Sequence, residues 1–89
     1  MRKTIVGITV IGKDKEGVVA RFTNFVFQND GNVEKVNQNV IKGLFGMYLE
    51  VSFTSKINFR QLDSALQKLG KKLRMEVSTH YETSTEKNI

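Results

Sequence analysis

The 89-residue sequence has no cysteine and a single histidine, His80. Without cysteine there are no structural disulfides, no thiol nucleophile and no thiolate metal site. One imidazole cannot build a histidine metal cluster, so the reading calls for no metal and no cofactor. No arrangement of serine, histidine and acid is visible either, and His80, near the chain end, reads as a surface side chain rather than a base. The expectation is a protein that catalyses nothing. Long apolar runs are also missing. Nothing approaches the roughly 20 residues that span a bilayer, and the opening MRKTIVGITVIGKDKEG lacks a small-residue cleavage site, which points to the cytoplasm and away from a membrane.

Blocks of charge are absent as well. A formal charge of +5 and a pI near 9.7 raise the idea of an acidic partner such as nucleic acid. The 14 basic residues are scattered rather than clustered, which reads as a solvated surface. What is present is the balance of an ordinary globular chain, 39% hydrophobic and 26% charged, in a length that supports one domain. A core this small, with neither disulfide nor metal, commonly gains stability by oligomerising, so a homodimer is expected.

Residues 3 to 12 (KTIVGITVIG) are rich in β-branched types, and Val6, Ile8 and Val10 recur at period two, which predicts a first strand. The following GKDKEG turns the chain, and its Asp14 is of a type that caps helices. From Gly17 to Asp30, residues Val18, Val19, Phe22, Phe25 and Val26 repeat at helical spacing, with Gly31 expected to stop the helix. Phe27 falls roughly opposite the centre of that stripe, beside Ala20, Thr23 and Asn24, and is exposed in a monomer. Residues 32 to 41 alternate as a polar edge strand, with Val36 and Val40 on one face and Lys35, Asn37 and Asn39 on the other. After a Lys42-Gly43 turn, Phe45, Met47, Leu49, Val51 and Phe53 alternate without a break, and the two runs pair as a hairpin.

Asn58 followed by Gln61 reads as a capping box, and Phe59, Leu62, Leu66, Leu69 and Leu73 continue as the stripe of a helix over 59 to 72. Lys68, Lys71 and Lys72 suit its negative end without any ligand. Residues 74 to 80 alternate again, with Met75 and Val77 inward, and 81 to 89 read as a polar, frayed tail. The order predicts an α+β, ferredoxin-like βαββαβ sandwich: a four-stranded antiparallel sheet, both helices on one face, strands two and four at the edges. The expected core is Val6, Ile8, Val10, Val18, Phe22, Phe25, Val26, Phe45, Met47, Leu49, Val51, Leu62, Leu66 and Leu69.

Three stretches in this order, ITVIGKDKEGVVARF, QNDGNVEKVNQ and VIKGLFGMYLEVSF, resemble the ACT family, most nearly its small free-standing members and the glycine cleavage repressor type. The first loop of that type, GxDxxGIV, appears as Gly12, Asp14 and Gly17 with Val18 and Val19. The second motif, GxNIxxxSQ, appears as Gly31, Asn32, Val33 and Gln38. The sequence departs from the family at Glu16, where proline is common, and at Gly46, where threonine is more typical. The resemblance covers about residues 1 to 80 as one ACT domain. It implies a regulatory homodimer with an amino-acid-sized ligand between subunits, at Gly12, Asp14, Gly17 and Val18 of one chain and Asn32 and Val33 of the other. Helix one and strand two form the expected contact, with a protein partner, an enzyme or a transcriptional regulator, receiving the signal. On the residues alone two roles stay open: Asp14 either caps helix one or accepts from an α-ammonium, and Asn32 either follows a glycine turn or meets the ligand.

Two other classes share the element order. An RNA-binding βαββαβ module is the alternative, because Lys42, Gly43, Phe45, Gly46 and Tyr48 in KGLFGMYL resemble the octamer of that family. Leu44, however, inserts one residue and so turns Phe45 into the core, and strand one offers no aromatic for base stacking. An acylphosphatase needs an arginine beside its phosphate loop, whereas Arg21 is placed a full turn inside helix one. With no DNA-reading helix pair predicted, any effect on transcription passes through a partner protein.

Overall fold

The computed structural model describes residues 2–13 and 16–85. Six elements follow in the order β1 (Arg2–Gly12), α1 (Val18–Gln28), β2 (Gly31–Ile41), β3 (Leu44–Phe53), α2 (Phe59–Lys72) and β4 (Glu76–Thr85). The sheet has the order β2-β3-β1-β4, every neighbouring pair antiparallel, which puts β2 and β4 at the edges. This is the predicted ferredoxin-like sandwich.

Period two decides which sheet face is covered. Val6, Ile8 and Val10 of β1 and Phe45, Met47, Leu49, Val51 and Phe53 of β3 are buried, and Val18, Phe22 and Val26 of α1 and Leu62 and Leu66 of α2 close over them. Both helices therefore sit on one face. Phe45, at 2% exposure, belongs to this core and is unavailable for stacking on bases, whereas Tyr48, the other aromatic of the octamer-like stretch, is exposed. Two expected core members, Phe25 and Leu69, are only partly buried and pack against its margin, while Phe53 and Met75 join it.

Turn chemistry fixes the connections. Lys42 and Gly43 both take positive φ, 52° and 79°, between the paired Ile41 and Leu44, the two-residue geometry whose twist matches a hairpin. Asn58 caps α2, its Oδ1 accepting from the Gln61 backbone N–H at 3.1 Å. At the other end Leu73 is the C-cap, and the Met75 and Arg74 N–H groups donate to Gly70 and Lys71 carbonyls at 2.8 and 3.2 Å, a Schellman closure in which Arg74 carries the left-handed backbone, φ 60°.

Two expectations are corrected, and one falls outside the described residues. Gly31 does not stop α1: Asn29 is the C-cap, Asp30 takes the left-handed turn at φ 61°, and Gly31 is already the buried first residue of β2. The cap at the start of α1 is Gly17, with φ 73°; Asp14 lies outside the described residues. The segment from Tyr81 is not frayed through Thr85, because β4 pairs with β1 along its whole length and the Tyr81 ring packs on Phe59 with centroids 4.8 Å apart. Residues 86 to 89 of the expected tail lie outside the described residues.

Candidate functional site

The exposed side of α1 and the start of β2 enclose a groove of about 740 Å³, lined by Ala20, Arg21, Thr23, Asn24 and Phe27 from the helix and Gly31, Asn32 and Val33 from the strand. Its depth has a local cause. Gly31 lets β2 enter tightly against Phe53 and Val26, with no room for a side chain, so the strand passes under the helix end. Phe27 stands on the rim at 77% exposure, although α1 buries its other aromatic face completely at Phe22.

The β2 edge is long and open. Beyond Gly31 every residue of β2 is exposed, and from Val36 to Ile41 the strand carries no charge. Val36, Val40 and Ile41 are 40%, 54% and 60% exposed, an unusual amount of apolar strand to leave beside unpaired backbone. One irregularity interrupts it: the register shifts between Val33 and Lys35, a bulge that carries Glu34. The Glu34 carboxylate accepts from the Ser52 hydroxyl at 2.6 Å and lies 3.9 Å from the Lys3 ammonium, so the otherwise buried Ser52 is satisfied.

The sequence-predicted site residues fall into two groups. Asn32 and Val33 border the groove, Asn32 on the uncovered sheet face and Val33 on the helix side. Gly12, Gly17 and Val18 lie at the other end of the sheet. Asn32 is opposite Ser52, which is opposite Ile5, and Gly12 is seven residues further along β1 (12 minus 5), roughly 23 Å away at strand rise. One chain therefore does not bring the two groups together.

At the glycine end, each residue offers something different. Gly12 is tight rather than open: a Cβ there would stand 2.3 Å from the Met75 Sδ. Gly17 has open space around it and contributes its left-handed turn. The Val18 side chain is core, at 2% exposure, which leaves its backbone N–H as the group it can present. The first intrahelical bond runs from the Arg21 N–H to the Gly17 carbonyl at 3.0 Å, so the N–H groups of Val18, Val19 and Ala20 have no acceptor within the helix and point out of its positive end.

Sequence reasoning missed the bulge and the part played by Arg21 in the groove. A signal for the bulge was present, since Val33 and Val36 both face the helix side while standing three residues apart, which period two does not allow. Among the described residues no group of three or more His, Asp and Glu side chains is placed to hold a metal ion, and no helix is long and apolar enough to cross a membrane.

Comparison with known proteins matches this architecture. A family model described as ACT domain matches residues 4–80. A UPF0237 protein of Methanococcus maripaludis is 38% identical over 77 residues, covering 84% of each chain. The structure of an ACT domain protein from Streptococcus pneumoniae superimposes with a TM-score of 0.83 at 28% identity, over 88% of this chain and 89% of that one. A crystal structure assigned to a glycine cleavage system transcriptional repressor has the same fold, with a TM-score of 0.88 at 22% identity, over 94% of this chain and 49% of that one.

Proposed function

The chain belongs to the ACT domain family, and on that premise we propose that it is a regulatory, non-catalytic homodimer that binds an amino acid between its subunits. The observation that supports the reading is that Gly12, Gly17 and Val18 lie at one end of the sheet and Asn32 and Val33 at the other. A two-fold axis beside β2 reverses the partner, so the Gly12-to-Val18 end of one protomer runs alongside the Asn32–Val33 end of the other. Two equivalent sites result.

The chemistry of each half suits one end of an amino acid. The N–H groups at the start of α1 receive a carboxylate, helped by the helix dipole and by the open approach at Gly17. The Asn32 amide, exposed and with both donor and acceptor, meets polar groups from the other chain. Asp14 is assigned the α-ammonium from the sequence motif. Phe27 and the uncharged stretch from Val36 to Ile41 supply the apolar contact that holds the protomers together. A ligand of so few atoms binds at about micromolar affinity or weaker, a range suited to metabolite pools. The readout passes to a protein partner, an enzyme or a transcriptional regulator of amino-acid metabolism.

The test is a thermal-shift and calorimetry screen of the twenty amino acids at millimolar concentration, repeated on Asn32→Ala. At least one amino acid is expected to raise the melting temperature of the parent protein, and Asn32→Ala is expected to bind it more weakly. If none shifts the melting point, amino-acid sensing is wrong. If one does and Asn32→Ala binds it equally well, the placement of the site is wrong.

A further inference from the structure

Along the chain the cations are scattered, but the fold collects four of them on one surface. The exposed residues of α2 are Arg60, Gln61, Ser64, Lys68, Lys71 and Lys72: four cations, two neutral polar residues and no acid. The one carboxylate of the helix, Asp63, is turned toward β4, where it accepts from Thr79 and Gln67. Among the described residues, none of the four cations has an acidic partner. The strand carboxylates Glu50, Glu76 and Glu82 pair with Gly7, Ile11 and Ile5 on the uncovered side of the sheet, so the sheet and the core separate them from the outer side of α2.

This set works against the helix that carries it. Lys71 and Lys72 complement the negative end of α2, but that benefit fades beyond the last turn and leaves Lys68 outside it. Arg60 lies in the first turn, at the positive end, where a cation is disfavoured. Lys68 repels Lys71 and Lys72, three and four residues on, at spacings where an opposite charge would stabilise. A solvated helix gains from interspersed signs, so neither the helix dipole nor solubility accounts for the four together.

We propose that the outer side of α2 binds the phosphate backbone of a nucleic-acid duplex without reading its sequence. From Arg60 to Lys72 the cations lie along about 18 Å of one rigid helix, twelve residues (72 minus 60) at 1.5 Å each. A duplex presents a continuous line of acceptors over that length, about one negative charge per 1.7 Å of its axis. α2 exposes no large hydrophobic residue. It therefore lacks the apolar centre of a protein interface, where lysine is depleted, and also the apolar face with which a helix enters a membrane surface, because Leu62 and Leu66 are buried in the core. Its one aromatic, Phe59, packs on Tyr81 rather than standing free for single-stranded bases. Contact through charge alone is what remains, and that is how proteins hold phosphates. The surface is separate from α1 and β2, so it does not depend on the amino-acid site.

Fluorescence anisotropy with DNA and RNA duplexes of about 20 base pairs, each in two unrelated sequences, tests this in a salt titration. The protein is expected to bind at least one of the two kinds of duplex at micromolar Kd in about 20 mM salt, equally for both sequences, with log K falling against log salt at a slope of about −3 to −4 per chain engaged. Lys68→Gln combined with Lys72→Gln is expected to weaken binding about ten-fold and to reduce the slope by about two, while the melting temperature holds. Lys35→Gln combined with Lys42→Gln removes the same charge from β2 and its turn, and is expected to change binding by less than about two-fold. Absence of duplex binding overturns the inference, and so does an equal loss in the two double variants, which would make net charge rather than α2 the cause. Tighter binding to phosphatidylserine vesicles or to polyglutamate than to either duplex would assign the surface to a membrane or an acidic protein and overturn it as well.

Discussion

Gly31 stands against the ring of Phe53 so closely that a Cβ on Gly31 would lie 2.6 Å from the Phe53 Cε1, and 2.8 Å from the Val26 Cγ1 on its other side. The need is for space and not for backbone freedom, since Gly31 is absent from the positive-φ positions while its neighbour Asp30 is among them. The end of α1, the first pair of β2 and the core under them all depend on this one missing side chain.

Gly31→Ala is therefore expected to destabilise the fold by about 1 to 3 kcal/mol, the range of overpacking in a rigid core. Gly43→Ala is the comparison, because a Cβ there meets nothing within 4 Å and only the φ of 79° opposes it. Urea unfolding of both variants checks the order: the loss at Gly31 exceeds that at Gly43. A neutral Gly31→Ala would show that β2 does not enter under α1 as described.

Phe22 and Leu66 are both fully buried, one from each helix, and share the cluster beneath the sheet's covered face. Replacing either by Ala is expected to cost about 2 to 5 kcal/mol. Equilibrium denaturation measures it, and a loss below roughly half a kcal/mol at both positions would mean that the helix faces are misassigned.

A polar tie holds α2 to β4. Asp63 Oδ1 accepts from the Thr79 hydroxyl at 2.6 Å and from the Gln67 amide at 3.3 Å, and the same amide donates to the Val77 carbonyl at 2.9 Å. Thr79→Val and Gln67→Ala are each expected to cost about 1 kcal/mol. Because they share Asp63, their double-mutant cycle is expected to show a coupling of about 0.5 kcal/mol or more. Strict additivity would show that the tie does not act as a unit.

The fold was legible because the strongest signals were periodic and local. Phe45 through Phe53 alternate on one face, and the Asn58–Gln61 cap sets the start of α2 at Phe59, as the sequence implies. What escaped depends on distant neighbours. Nothing local tells that Gly31 is kept for Phe53, 22 residues away (53 minus 31), or that Gly12 is kept for Met75. By sequence alone the end of β4 reads as a tail, because Tyr81 to Thr85 is polar. An edge strand with one face in water needs little hydrophobicity when β1 supplies the pairing. Of the site, the off-stripe position of Phe27 and the motif positions of Asn32 and Val33 were readable, and the groove does collect these three. Their separation from Gly12 and Gly17 by most of the sheet was not, because it follows from strand order and register rather than from spacing along the chain.

The proposed function requires a dimer built on α1 and β2, and sedimentation equilibrium of the parent protein and Phe27→Asp, each with and without amino acids, decides whether it forms. The expected result is a mass of twice the 10.1 kDa chain for the parent protein, with the dimer strengthened by ligand through mass action, and a shift toward the monomer in Phe27→Asp. A parent protein that stays monomeric with every amino acid present, or a dimer that Phe27→Asp leaves unchanged, would contradict it.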